Sequence, residues 1–229
     1  MRRWWVMSIF IAAAQSALAQ DDLPIDLIKL PTGFRIEVVA RVDSAREMTL
    51  GAKGTLFVGS MQAGEVYAVQ LKPGALGAVT TIASGLDRPV GVAFRDGALY
   101  VSAVNRILRY DNIEERIGDP PQPKIVTDRF PSDTLHGWKF IAFGPDGKLY
   151  VPVGAPCNIC EPNPDEYAVI TRMNPDGSGF EVFAKGLRNS VGFDWDPRTK
   201  DLWFTNNARD WISDELPHDT LPLDPLLPA

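Results

Sequence analysis

Short apolar runs separated by turn signals recur along the chain, and four of them share one core. The four runs are Gly54–Val58 (GTLFV), Gly97–Val101 (GALYV), Gly147–Val151 (GKLYV) and Lys200–Phe204 (KDLWF). Their leucines, at positions 56, 99, 149 and 202, are 43, 50 and 53 residues apart. A repeat of this length that is made of short strands is typical of propeller blades.

The neighbours of each core complete the pattern of a blade. An apolar run and a tight turn precede three of the cores, a further run follows three cores, and a fainter one closes two of the units. These runs are 90–94, 140–143 and 191–195 before the cores, 64–69, 105–110 and 168–174 after them, and 78–83 and 180–184 at the ends of units. Four strands per unit predict an all-β propeller of four-stranded blades, about four of them in this chain, with an irregular β sandwich as the alternative.

The two ends of the chain depart from the repeat. Arg2 and Arg3, an apolar run over 4–14 and the small residues at 17–19 predict a cleaved signal peptide over 1–19, with a retained membrane anchor as the alternative. The paired arginines are a weak indication of twin-arginine export. We expect a partial propeller over 20–216 and an irregular, proline-rich tail over 217–229.

Charge and hydropathy narrow the class of partner. The formal net charge is −6, and removal of the leader takes away two arginines and no acidic residue. Such an acidic chain argues against nucleic acid and anionic membranes as partners. No second apolar run approaches membrane-spanning length, so we expect a periplasmic or secreted protein with no stable membrane span after cleavage.

The two cysteines, Cys157 and Cys160, lie close together in PCNIC. An exported chain meets an oxidising compartment, so a local disulfide is the leading interpretation, with free thiols or redox chemistry as alternatives. Glu161 stands where a c-type haem motif requires histidine.

Blade topology places several polar residues at one end of the propeller. His136 enters the first strand of one blade and Arg188 enters the first strand of the next, and Asn207 and Arg209 follow the second strand of that blade. A neutral histidine can accept a proton near pH 7, and a nearby arginine can stabilise negative charge that develops on an oxygen. The alternatives are a loop histidine bonded to a backbone carbonyl and a structural arginine that clamps two blades.

The stretches HGWKFIAFGPDGKLYV (136–151) and GLRNSVGFDWDPRTKDLWFTNNARDW (186–211) resemble the glucose/sorbosone dehydrogenases, most closely the sorbosone branch. The resemblance covers roughly residues 30–216 and implies an exported six-bladed propeller that oxidises sugars with pyrroloquinoline quinone (PQQ) and Ca²⁺. An external acceptor, a cytochrome or a quinone, would reoxidise the cofactor. We expect this chain to be C-terminally truncated relative to the family, without the blades that supply basic residues to the carboxylates of PQQ.

The resemblance also assigns roles to residues. His136 matches the catalytic base, Arg188 the arginine beside the reacting quinone carbonyl, and Asn189 a cofactor contact. Residues at the following turn match positions near the cofactor and its metal. Asn207 and Arg209 are assigned to the cofactor, the carbonyls of Ala208 and Arg209 to its Ca²⁺, and Asp214 and Glu215 to a second, structural Ca²⁺.

Some positions differ from the family pattern. Ala208 replaces a usual glycine, and Asp87 and Arg88 stand where glucose-oxidising members have a glutamine. Rival functions are a calcium-dependent lactonase, for which Asp133 and Glu47 are the candidate acidic ligands, a non-catalytic binding propeller and an inactive truncated remnant. Fold alone does not decide between them.

Overall fold

The computed structural model describes residues 23–213, 215 and 217–224. The chain divides into two compact units, Met1–Glu37 and Val38–Ala229. The described part of the first unit contains a short 3-10 helix, Ile25–Leu27. The predicted signal peptide, 1–19, lies outside the described residues. Within those residues, no helix has the length and apolar character needed to cross a membrane.

The second unit is built of antiparallel sheets in which each strand pairs with the next strand along the chain. This meander confirms the predicted all-β propeller of four-stranded blades, and the fourth sheet has three strands in the described chain. A second 3-10 helix, Ile113–Glu115, follows the third strand of the second sheet. The strands are β1 Ala45–Leu50, β2 Thr55–Ser60, β3 Val66–Lys72 and β4 Ala75–Ala83; β5 Val92–Arg95, β6 Ala98–Ala103, β7 Arg106–Tyr110 and β8 Lys124–Thr127; β9 Ala142–Phe143, β10 Leu149–Val153, β11 Val169–Met173 and β12 Glu181–Lys185; β13 Phe193–Trp195, β14 Leu202–Phe204 and β15 Leu223–Asp224.

The four repeated leucines occupy equivalent positions in the second strand of each sheet. Each pairs with a residue at or next to the end of the preceding strand, and in the last three sheets the pair lies directly across a turn that the sequence predicted. The pairs are Leu50 with Leu56, Phe94 with Leu99, Phe143 with Leu149 and Trp195 with Leu202. The repeat therefore reflects a hairpin register that the four sheets share. A shift of one residue would turn the buried side chains of the strand to the opposite face of the sheet.

The core lies between neighbouring sheets. Alternate residues of β6 face opposite sides: Leu99 packs with the first sheet and Tyr100 with the third. Tyr150 of β10 in turn packs against Phe193 and Leu202 of the fourth sheet. Burying each such side chain contributes on the order of 1.5–3 kcal/mol, so the contacts between blades, and not the single sheets, stabilise the unit.

Three strands, β1, β8 and β15, were not predicted, and each has a physical reason. β8 contains only two apolar residues, Ile125 and Val126, which are too few to stand out as a run. β1 carries Arg46 and Glu47 and has no continuous apolar run. β15 forms within the segment predicted to be an irregular tail over 217–229, where Leu223 and Asp224 pair with β14. Thr220 also exchanges backbone hydrogen bonds with Asn206 at 2.9 and 3.0 Å. An otherwise unpaired strand edge offers N–H and C=O groups, and this short segment satisfies some of them.

Candidate functional site

His136 lies in the loop between β8 and β9, as the entry to the first strand of the third sheet. Its backbone is left-handed, with φ of +51°, and its side chain is half-buried. The ring Nδ1 lies 2.7 Å from the carbonyl oxygen of Ala155. Nδ1 therefore makes the bond to a backbone carbonyl that the alternative interpretation of this histidine expected.

The bond to Ala155 fixes which ring nitrogen carries the proton in the neutral ring. A carbonyl oxygen only accepts hydrogen bonds, so Nδ1 must be the donor. The lone pair of the neutral ring then resides on Nε2, which can accept a proton from a hydroxyl group. The geometry thus combines a positioning contact at Nδ1 with a basic Nε2 that has no hydrogen-bond partner among the described residues.

Arg188 lies between β12 and β13, and its side chain is 12 % exposed. Its Nη1 donates to the carbonyl of Asn207 at 3.1 Å, and its Nη2 donates to Oδ1 of Asn158 at 2.7 Å. Longer contacts of 3.4 Å join Nε to the Asn158 carbonyl and Nη2 to Asp210. Because Asn158 follows β10 and Asn207 follows β14, the guanidinium does clamp two blades, as the structural alternative for this arginine proposed.

The loops of His136 and Arg188 meet at Gly154 and Ala155. The Ala155 carbonyl accepts from His136, and its N–H donates to the carbonyl of Arg188 at 2.7 Å. A Cβ at Gly154 would lie 2.6 Å from Cβ of His136 and 2.7 Å from Oδ1 of Asn189. Only glycine allows this approach, and the two predicted site residues therefore share one end of the propeller.

Asn189 and Asn207 are held by the backbone around Arg188. Asn189 is buried, its N–H donates to Oδ1 of Asn206 at 3.3 Å, and its carbonyl accepts from the N–H of Asn207 at 2.9 Å. Nδ2 of Asn207 donates to Asp219 at 3.3 Å, whereas its Oδ1 is buried without a partner among the described residues. Sequence reasoning missed Asp219 because it assigned this residue to the tail.

A cavity of about 560 Å³ opens beside Arg188. Ala155, Asn158 and Tyr167 line it from the third sheet, and Arg188 and Arg209 line it from the loops around the fourth. Glu161 also contributes to its wall, whereas His136 is not among the lining residues. The ring of His136 bonds to the carbonyl of Ala155, and Ala155 itself lines this cavity.

Only part of the predicted calcium-binding residues lies in the described chain. Asp214 lies outside the described residues, and Glu215 is exposed, with its N–H donated to the hydroxyl of Ser213. Among the described residues there is no group of three or more His, Cys, Asp or Glu side chains suited to a metal. The N–H of Ala208 donates to Asp219 at 2.8 Å, which fixes the turn whose carbonyls were predicted as Ca²⁺ ligands.

The acidic candidates for a lactonase site have other partners. Oε2 of Glu47 accepts from the N–H groups of Val92 in β5 and of Ile141, the residue before β9, at 3.3 Å each. Burial raises the pKa of Glu47 well above its ordinary value, against the lowering effect of these two bonds. Asp133 is exposed and accepts from the Tyr167 hydroxyl at 2.6 Å. The two carboxylates therefore do not converge on one site.

Cys157 and Cys160 form a disulfide, with their Cα atoms 6.0 Å apart. This is the leading interpretation of the cysteine pair. The disulfide encloses Asn158, the main side-chain partner of Arg188, which sequence reasoning did not single out. The spacing of the cysteines indicated the loop, but nothing in the sequence indicated which blade the loop contacts.

Comparisons with known proteins support the fold and leave the activity to be tested. No protein-family model matches the chain. An uncharacterized protein of Borreliella burgdorferi is 28 % identical over 228 residues, which cover 94 % of this chain and 58 % of the relative. The chain therefore spans less than two thirds of the length of this relative.

Solved structures of two sugar dehydrogenases and of a carbohydrate-active enzyme share the architecture. The PQQ-bound aldose sugar dehydrogenase of Streptomyces coelicolor has a TM-score of 0.62 at 23 % identity, over 75 % of this chain and 59 % of that one. A proposed glucose dehydrogenase of Thermus thermophilus has a TM-score of 0.64 at 22 % identity, over 82 % and 63 %. The calcium structure of a Trichoderma reesei carbohydrate-active enzyme of family AA12 has a TM-score of 0.64 at 18 % identity, over 80 % and 52 %. Identities this low establish the propeller fold alone.

Proposed function

We propose that this chain is the propeller portion of an exported, PQQ- and calcium-dependent sugar dehydrogenase of the sorbosone type. The observation that carries the proposal is the meeting of His136 and Arg188 at Ala155, with the histidine held as the Nδ1–H tautomer. The PQQ- and calcium-containing neighbours support the choice of cofactors, and the sorbosone-type substrate rests on the sequence resemblance.

The cavity beside Arg188 fits an anionic, planar cofactor. PQQ carries three carboxylates, and the guanidinium groups of Arg188 and Arg209 lie in the cavity wall. The volume of about 560 Å³ falls within the usual range for small-molecule sites. The unpaired Oδ1 of Asn207 offers a buried acceptor one residue away from the Ca²⁺-binding turn proposed at Ala208 and Arg209. PQQ held between Arg188 and Arg209 would supply the acceptor for the hydride of the sugar carbon.

The residues of the chain would perform the remaining steps. Nε2 of His136 takes the proton from the substrate hydroxyl while Nδ1 keeps its bond to Ala155. Arg188 has five N–H donors, and four contacts to protein acceptors are present. The donor left over, on Nη1, has no partner in the described part of the chain and can stabilise negative charge on an oxygen. Asn189, buried beneath, would contact the cofactor.

Reconstitution tests the proposal. The purified chain is mixed with PQQ and Ca²⁺, cofactor binding is measured by titration calorimetry, and dye reduction is assayed with a panel of aldoses and sorbosone. We expect His136→Ala to lower the rate by about 10²–10⁴-fold, the usual contribution of a general base, while cofactor binding is kept. The only other histidine, the exposed His218, supplies the matched control His218→Ala. Equal loss in both variants, or undiminished activity in His136→Ala, would contradict the assignment.

A non-catalytic propeller is the second candidate. It is favoured by the engagement of Arg188 with four protein acceptors, which is what a structural clamp requires. The calorimetric titration separates the two functions, since a binding propeller or an inactive remnant shows no PQQ binding. Lactone hydrolysis that needs Ca²⁺ and no quinone would instead identify a lactonase.

A further inference from the structure

Asn158 holds both the side chain of Arg188 and the loop that faces it. Its Oδ1 accepts from Nη2 of Arg188 at 2.7 Å and from the N–H of Asp210 at 2.9 Å. Its Nδ2 donates to the carbonyl of Asp210 at 2.9 Å. The amide therefore pairs with both backbone groups of Asp210, as a neighbouring strand would, and presents the remaining lone pair to the arginine.

These contacts cross from one blade to the next. Asn158 belongs to the loop that follows β10 of the third sheet, whereas Asp210 belongs to the loop that follows β14 of the fourth. Arg188 also contacts this second loop, because its Nη1 donates to the carbonyl of Asn207. If Asn158 moved, the guanidinium would lose its shortest contact, and the two loops would lose two hydrogen bonds.

The disulfide limits how far Asn158 can move. Cys157 and Cys160 are three positions apart, so the covalent ring contains only Asn158 and Ile159 between them. A closed ring of this size leaves the backbone of Asn158 few conformations, and the ring lies on the wall of the cavity through Asn158 and Cys160. Groups that orient a reacting side chain work best when their own position is restricted by such surroundings.

We propose that Asn158 is a positioning residue for Arg188, and that the Cys157–Cys160 disulfide keeps it in place, so that the placement of the guanidinium depends on the redox state of this pair. Reduction breaks the S–S bond with two electrons and two protons from a dithiol, which itself becomes a cyclic disulfide, and leaves two thiols. Asn158 then samples conformations that no longer reach Arg188 and Asp210 together. The inference rests on the proposed function only for the consequence of moving Arg188.

The test measures the accessibility of Arg188 and needs neither cofactor nor substrate. The full chain is treated with phenylglyoxal, which adds to guanidinium groups, and modification of Arg188 is quantified by mass spectrometry relative to the exposed Arg209. We expect the ratio of the two rates to rise about tenfold in Asn158→Ala, the factor equivalent to losing one charge-assisted hydrogen bond. Treatment of the wild-type chain with dithiothreitol should produce a similar rise, which reoxidation reverses.

Matched variants separate positioning from general loosening. Asn158→Asp keeps an acceptor for Arg188 and should hold the ratio near the wild-type value. Asn163→Ala removes an exposed side chain of the same loop whose one hydrogen bond among the described residues is from the N–H of Asp165, and it should also leave the ratio unchanged. In the double variant Cys157→Ser/Cys160→Ser the ratio should be high already and insensitive to dithiothreitol.

The inference is overturned if Arg188 stays protected in Asn158→Ala, or if the wild-type ratio does not respond to complete reduction confirmed by thiol counting. An equal rise in Asn163→Ala would also overturn it, because the effect would then come from the loop as a whole. If Asn158→Ala fails to fold, the comparison of oxidised and reduced wild-type chain decides the question. Failure of PQQ binding, by contrast, leaves these ratios unaffected and bears on the proposed function alone.

Discussion

Lys139 is a buried lysine close to the candidate site, and its removal gives a quantitative prediction. Its side chain lies in the interior, 1 % exposed, and Nζ donates to the carbonyls of Val104 and Gly137 at 2.6 Å each. Burial lowers the pKa of Lys139 to about 7, against a smaller raising effect of Asp87. The ring of Phe130 covers the ammonium at 5.3 Å. Lys139 therefore holds the carbonyl of Gly137, the residue after His136, although its buried ammonium group loses its contact with water.

The direction of the pH effect follows from proton binding. An unfolded lysine titrates near pH 10.5, so between about pH 7 and 10.5 the unfolded chain binds a proton that the folded chain has released. Stability contributed by this site therefore rises with pH across that window and is lowest below pH 7. One proton corresponds to about 1.4 kcal/mol per pH unit, which gives at most about 2 kcal/mol between pH 7.5 and 9. The two carbonyl bonds favour the ammonium, so the gain should fall below this limit.

Denaturant unfolding at several pH values measures the effect. The free energy of unfolding of the wild-type chain should rise from pH 7.5 to 9 relative to Lys139→Met, which keeps the length of the side chain and cannot titrate. Lys185→Met, which removes only an exposed ion pair with Asp165, should follow the wild-type curve. Parallel curves for the wild-type chain and Lys139→Met would refute the reasoning, because the lysine would then stay charged in the fold at all these pH values.

Two further substitutions test the geometry of the site. Gly154→Ala places a methyl group against His136 and should cost about 1–3 kcal/mol of unfolding free energy, whereas Gly192→Ala, with open space around it, should be close to neutral in the same denaturant titration. Tyr167→Phe removes a phenol whose pKa is raised to about 12, chiefly by its hydrogen bond to Asp133. Absorbance at high pH should then lose a phenol that ionises late, and the loss of a phenol that ionises in the ordinary range near pH 10 would show that the bond does not form in solution.

The repeat in the sequence was sufficient to predict the blades because it records hairpin register. Leu99 and Leu149 are fully buried in the second strands of their sheets. Each blade needs such a leucine for its own hairpin, so the residue recurs in the sequence whatever lies around the blade. β1 was missed because Glu47 interrupts its pattern and is satisfied by the N–H groups of Val92 and Ile141. β15 was missed because its pairing depends on an available edge of β14, which no local pattern records.

The sequence predicted individual residues of the site, but it did not predict the contacts that join them. Strand order placed His136 and Arg188 at the same end, but the dipeptide that joins them contains no reactive side chain. Asn158 and Lys139 look like ordinary surface residues in the sequence, since asparagine and lysine are usually exposed. Asn158 pairs with Arg188 and with the backbone of Asp210, and Lys139 with the carbonyls of Val104 and Gly137. A single sequence without the fold does not reveal these partners.

In the proposed site, Ala155 holds His136 with its proton on Nδ1, which leaves Nε2 as the base. Nitrogen NMR of the ring tests this directly, because the chain has only two histidines and His218→Gln assigns the signals. Above the pH at which the ring becomes neutral, we predict that Nδ1 of His136 carries the proton and Nε2 has the chemical shift of an unprotonated nitrogen. A neutral ring with its proton mainly on Nε2 would contradict the account.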